Sequence, residues 1–130
     1  MWKINCSLVV AWALFAGQAL VAGEALARDP SGVWVRDNGE AKIKVGKCGR
    51  SLCGKVIWVE DPKRQGDIGK LVLYEMVDNG ANTWSGKAFN PLENKTYMGK
   101  MTLSGSSLTT SGCIMGGMMC KDMNWTRSNE

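Results

Sequence analysis

Gly32-Val33-Trp34 and Trp125-Thr126-Arg127 bracket the folded part of the chain, and their relation decides how everything between them is read. A Trp on the first strand meets a Trp-x-Arg on the last only if the intervening strands roll into a closed barrel, with the guanidinium over an indole face. From Val33 onward the sequence runs in short period-2 segments with no sustained helical periodicity. Eight strands are predicted, at about 33–37, 41–47, 53–60, 70–77, 83–89, 95–104, 107–113 and 120–127. Turn residues separate them, among them Asp37-Asn38-Gly39, Cys48-Gly49-Arg50-Ser51 and Asp78-Asn79-Gly80, which supply the positive φ that tight hairpins need. Short connections make consecutive strands antiparallel neighbours, so the fold class is all-β, an eight-stranded antiparallel up-and-down β-barrel.

In such a barrel the first strand begins and the last ends at one rim, which brings Trp34, Trp125 and Arg127 together as closure residues. Alternation assigns Trp34, Ile43, Val45, Val56, Trp58, Leu71 and Leu73 to the interior. It does the same for Trp84, Tyr97, Met101, Leu103, Leu108, Met123 and Trp125. Four indoles in so small a barrel predict a filled interior rather than a roomy cavity.

Upstream, Lys3 precedes an almost wholly apolar run from Leu8 to Val21, and Ala25-Leu26-Ala27 is a small-x-small cleavage site. Residues 1–27 read as a secretory signal cut before Arg28, leaving residues 28–130 as a single β-barrel domain. Gly17, Gln18 and Gly23 weaken a membrane-anchor reading, and Cys6 precedes the apolar run where a lipid-modified Cys would follow it. The expected location is the periplasm, with no stable membrane insertion after cleavage. The signal removes one Lys and one Glu, so the formal net charge stays at +4, and the basic residues are too scattered to predict a nucleic-acid partner.

Export carries Cys48, Cys53, Cys113 and Cys120 into an oxidising compartment, where four cysteines allow three pairings. The 48–53 and 113–120 turns lie at opposite ends of the barrel, too far apart for cross-bridges, so two short-range disulfides are expected, Cys48–Cys53 and Cys113–Cys120. The same separation argues against a Cys₄ zinc site.

With no His in the chain, Ser-His and Cys-His nucleophiles are excluded. The carboxylates lie mostly in turns; Glu75 alternates with Leu71 and Leu73 and is expected to point inward near a rim, without a paired acid. No enzyme activity and no cofactor are expected. Met115, Met118, Met119 and Met123 surround Cys113 and Cys120 and are expected to be core fillers at a hairpin end, with Cu(I) ligation by the four thioethers as the alternative.

These residues carry a resemblance. Gly32-x-Trp34, Cys48-Gly-x-x-Leu-Cys-Gly54 with Val56-Ile57-Trp58, the Trp84 to Pro91 segment with Lys95-Thr96-Tyr97, Ser111-Gly-Cys113, Cys120 and Trp125-Thr-Arg127 resemble the exported bacterial family called domain of unknown function 2147. The likeness spans residues 31–128 and implies a small calycin-like, lipocalin-like barrel in the envelope of a Gram-negative bacterium, without implying an activity. The Asp61 to Gly69 stretch is shorter here than the family's usual Pro-rich segment, and the Met residues between Cys113 and Cys120 replace aliphatic or aromatic ones.

The sequence therefore points to a non-catalytic binding or protein-interaction module for an envelope protein or small ligand. Its expected contact rim is formed by turns 37–40, 61–69, 90–94 and 113–120, with Lys63, Arg64, Asp67, Asn90, Asn94 and Met118 as candidate binding residues. Besides Cu(I) binding, the other alternative is an inhibitor of an exported hydrolase such as lysozyme.

Overall fold

A computed structural model of the chain describes residues 29–129; the segment read as a signal lies outside the described residues. The strands are β1 (Gly32–Arg36), β2 (Ala41–Cys48), β3 (Ser51–Val59), β4 (Leu71–Gly80), β5 (Thr83–Asn90), β6 (Lys95–Ser104), β7 (Ser107–Ile114) and β8 (Met119–Arg127). They form a closed antiparallel barrel in sequence order, as the turn spacing predicts. A 3-10 turn over Pro62–Asp67 links β3 to β4, and a shorter one over Met115–Gly117 links β7 to β8. Among the described residues no helix is long and apolar enough to cross a membrane.

The seam between β1 and β8 closes the cylinder through Trp34↔Arg127, Val35↔Thr126 and Arg36↔Trp125. Backbone bonds from Asp37 N–H to the Asn124 carbonyl and from Ser128 N–H to the Val33 carbonyl extend it at both ends. The Arg127 guanidinium lies 4.4 Å from the Trp34 ring centroid. It also donates to the carbonyls of Ser31 at 2.9 Å and Asp29 at 2.7 Å, while the Trp34 indole N–H donates to Pro30 at 2.8 Å. The last strand thus holds the residues that lead into the first. Disulfides Cys48–Cys53 and Cys113–Cys120 staple opposite ends of the barrel, each closing a loop short enough to contribute about 2 kcal/mol in the chain-entropy model.

Trp34, Ile43, Val45, Val56, Leu73, Met76, Trp84, Met101, Leu108 and Trp125 pack one continuous core. The Trp125 indole N–H donates to Thr110 Oγ1 at 3.0 Å, so its polar atom is satisfied inside. The interior is filled, with three indoles rather than four.

At Trp58 and Glu75 the inward list fails for one reason, a β-bulge. On β3 the register slips between Lys42↔Trp58 and Ile43↔Val56, so alternation resumes at Val59, and Trp58 faces outward at 41% exposure beneath Lys42 Nζ, 5.6 Å from its ring. On β4 a second irregularity centres on Glu75, whose φ is 53°. Met76 takes the inward place, Glu75 turns out to meet Lys87 at 3.3 Å, and Leu71 is 39% exposed at the strand's start. Tyr97 is only half-buried, and Met123 is partly buried against the core.

Gly86, Gly99 and Gly112 stand side by side on β5, β6 and β7. A Cβ on Gly86 would strike the Glu75 carbonyl, and one on Gly99 would come within 2.6 Å of the Lys87 carbonyl carbon. Both obstacles are backbone, which cannot move aside like the end of a flexible side chain. Gly99→Ala is therefore expected to cost about 1–3 kcal/mol in urea unfolding, as overpacking does. Arg127→Met, which keeps the stem and removes the guanidinium, is expected to lower stability by about 2 kcal/mol in the same measurement.

Candidate functional site

The rim that carries the β1–β2, β3–β4, β5–β6 and β7–β8 connections holds all six residues expected to bind, but most of them build their own turns. Arg64 donates through Nε to Asp67 Oδ2 at 2.9 Å, and its Nη2 lies 2.7 Å from the same oxygen; Lys70 Nζ reaches Asp67 Oδ1 at 3.3 Å. Asn90 Oδ1 accepts from the backbone of Leu92 and Glu93, and its amide donates to Glu93 Oε1 at 3.1 Å. Asn94 takes the positive φ of its turn, 54°. Lys63, Asn94 and Met118 present exposed side chains that these turns do not bond. Nothing at this rim gathers the six into one concave site.

The methionine expectation is corrected. Met115, Met118 and Met119 are 67%, 85% and 57% exposed and fill no core, because the 3-10 turn carries them beyond the end of the barrel. Met123 alone packs inward. Among the described residues no group of three or more His, Cys, Asp or Glu side chains could hold a metal ion.

The concave site lies at the opposite end, where the β2–β3 hairpin leans over β4 and β5. A cavity of about 430 Å³ opens there, floored by Met76 and Trp84, both buried, and by half-buried Leu52. Its mouth carries Lys47, Arg50, Ser51 and Asp78. Three facts place these groups together. Lys47 and Leu52 are cross-strand partners, Leu52 pairs with Met76, and Asp78 pairs with Trp84. The Cys48–Cys53 disulfide fixes the hairpin that supplies the cationic side. The Asp78 carboxylate accepts from Gly80 N–H at 2.8 Å, whereas Lys47 and Arg50 are exposed and form no ion pair among the described residues. Sequence reading passed over this site because its apolar floor needs the Glu75 bulge to turn Met76 inward. A second, outward-facing hollow of about 330 Å³ runs over β5 and β6 toward the Met115–Gly117 turn, between Asn79, Ser85, Met98 and Lys100.

Residues Asp29–Ser31 cross the same end of the barrel, held by Arg127 and Trp34. The Ser31 backbone N–H, 2.9 Å from Asp29 Oδ1, holds the Asp29 carboxyl below its ordinary value. The Ser31 hydroxyl and the charges of Arg127 and Lys47 act in the same direction, and partial burial opposes them. At the other rim the Tyr97 hydroxyl donates to Glu93 Oε1 at 2.6 Å, and this bond raises its pKa.

A family model described as "Uncharacterized protein conserved in bacteria (DUF2147)" matches residues 32–127, nearly the whole barrel. The chain belongs to this family. Among solved structures, this DUF2147 barrel is similar to protein HP1028 from Helicobacter pylori, described as belonging to the lipocalin family. The TM-score is 0.64 at 15% identity, over 78% of this chain and 84% of that one, a likeness of fold. No curated protein matches the sequence.

A carboxyl depressed in the folded state contributes stability that is present above its unfolded pKa, near about 4, and is lost as pH falls through the folded value. Asp29→Asn should therefore be less stable than the parent at pH 6, by a gap in urea midpoint that narrows on acidification to pH 2.5. A gap that stays constant with pH would remove Asp29 ionisation from the anchoring of this segment.

Proposed function

We propose that this DUF2147 protein is a non-catalytic, periplasmic binding module that takes a small molecule in the mouth between the β2–β3 hairpin and β4–β5. The observation that carries this reading is the cavity itself, an apolar floor of Leu52, Met76 and Trp84 under a few polar groups. Concave, mostly apolar pockets with convergent polar rims are the usual form of small-ligand sites, and 430 Å³ lies within their range. The absence of His from the sequence supports a non-catalytic role. So does the engagement of carboxylates in local bonds, Asp67 with Arg64, Asp122 with Ser111 and Glu93 with Tyr97. The disulfides are compatible with an oxidising compartment.

The test is a fluorescence titration with the neutral apolar probe N-phenyl-1-naphthylamine. One probe should bind per chain, and Ser51→Trp, which puts an indole across the mouth, should weaken binding by about tenfold or more while urea stability is kept, the loss of a well-buried contact being worth that much. Equal binding by the parent and the Ser51→Trp protein would place the apolar site elsewhere.

The exposure of Met115, Met118 and Met119 favours a second reading, Cu(I) capture at the tip of the β7–β8 hairpin, since soft thioethers on one turn suit that ion. Competition for Cu(I) against a chromogenic chelator should show one equivalent bound, lost when the three methionines are replaced by Leu. Unchanged binding in the triple variant would exclude this turn as the ligand set.

A further inference from the structure

We propose that the mouth cavity is selective for single-chain anionic amphiphiles, with the head group held between Lys47 and Arg50 and a short acyl chain laid over Leu52, Met76 and Trp84. This rests on the reading of the cavity as a binding site and adds the chemistry of its ligand. Two properties of the structure specify that chemistry.

The first is charge. The ammonium of Lys47 stands at the inward-facing end of β2, directly across from Leu52, and the Arg50 guanidinium stands in the adjoining turn, so both sit at the lip of the apolar floor. Neither forms an ion pair among the described residues. Asp78 accepts from the Gly80 N–H and Asp29 from the Ser31 N–H, and neither forms a salt bridge with Lys47 or Arg50, although the Lys47 charge is felt at Asp29. A neutral ligand would make no use of either cation, and a cationic one would be repelled by them, whereas a carboxylate or phosphate head gains charge-assisted hydrogen bonds.

The second is depth. Beyond Met76 and Trp84 the barrel is closed by Trp34, Met101, Leu108 and Trp125, all with at most 7% exposure. A chain can cover the floor but cannot run down the barrel axis, so the site takes one short chain and leaves no room for a second. The cavity lies at the end where the termini of the barrel meet, opposite the rim bearing the Pro62–Asp67 turn.

Isothermal titration calorimetry below the micelle concentration decides the matter, using decanoate, decyl phosphate, decanol and decyltrimethylammonium. Both anions should bind one per chain, about tenfold or more tighter than decanol, with the ammonium weakest, since a hydrogen bond to a charged group is worth roughly a factor of ten or more. Lys47→Gln and Arg50→Gln, exposed positions that leave the core intact, should each remove about tenfold of anion affinity and leave decanol unchanged. Whichever anion leads separates a free fatty acid from a phosphate-headed lipid as the source, and either lead supports the proposal. Equal affinity for decanol and decanoate, or anion binding indifferent to both Gln variants, overturns the ligand class while the binding reading stands. If none of the four binds and N-phenyl-1-naphthylamine fails as well, the binding reading falls with it.

Discussion

Closure of the barrel depends on Arg127 over Trp34. Eight antiparallel strands leave two raw edges unless the first and last pair, and here they pair over only three residues of each strand. Such a seam has few backbone bonds to resist fraying. The guanidinium supplements it from outside the ladder, stacking on one indole and binding two carbonyls of the segment that leads into β1. Because Trp34 is fully buried, the same contact ties the seam to the core, so loosening the edge would also disturb the packing of Trp84, Leu108 and Trp125.

The order of the strands, the pairing of the cysteines and the meeting of Trp34 with Arg127 were all legible in the sequence, because each follows from turn spacing and from the parity of an up-and-down chain. The outward turns of Trp58 and Glu75 were not. Period-2 alternation carries no mark of a bulge, and a single extra residue inverts every side chain after it. The bulge at Glu75 had a faint signature in hindsight: it faces Gly86, which has no Cβ to collide with the displaced Glu75 carbonyl.

The candidate rim illustrates a related ambiguity. Polar residues in a connection can serve recognition or build the turn, and composition does not separate the two. Asn90 and Asp67 each accept bonds within their own loops, and Arg64 is spent on Asp67. The methionines err in the opposite sense: judged as core by type, they are exposed because Met115 and Gly116 both take positive φ, turning the chain outward past the Cys113–Cys120 bridge.

The two ends of the barrel acquire different chemistry from these backbone events. At the rim of the Pro62–Asp67 turn, Tyr97 and Glu93 bond to each other and Met123 packs against the core. At the other end the β4 bulge places Met76 inward and carries Asp78 to the lip, while the disulfide holds the β2–β3 hairpin out as a shelf. Apolar surface and exposed cations then come to share one concavity, although Met76 and Trp84 lie far along the sequence from Lys47 and Arg50. A recognition site of this kind arises from register rather than from motif, which is why the residues that form it, Lys47, Arg50, Leu52, Met76 and Trp84, are spread over four strands and one turn.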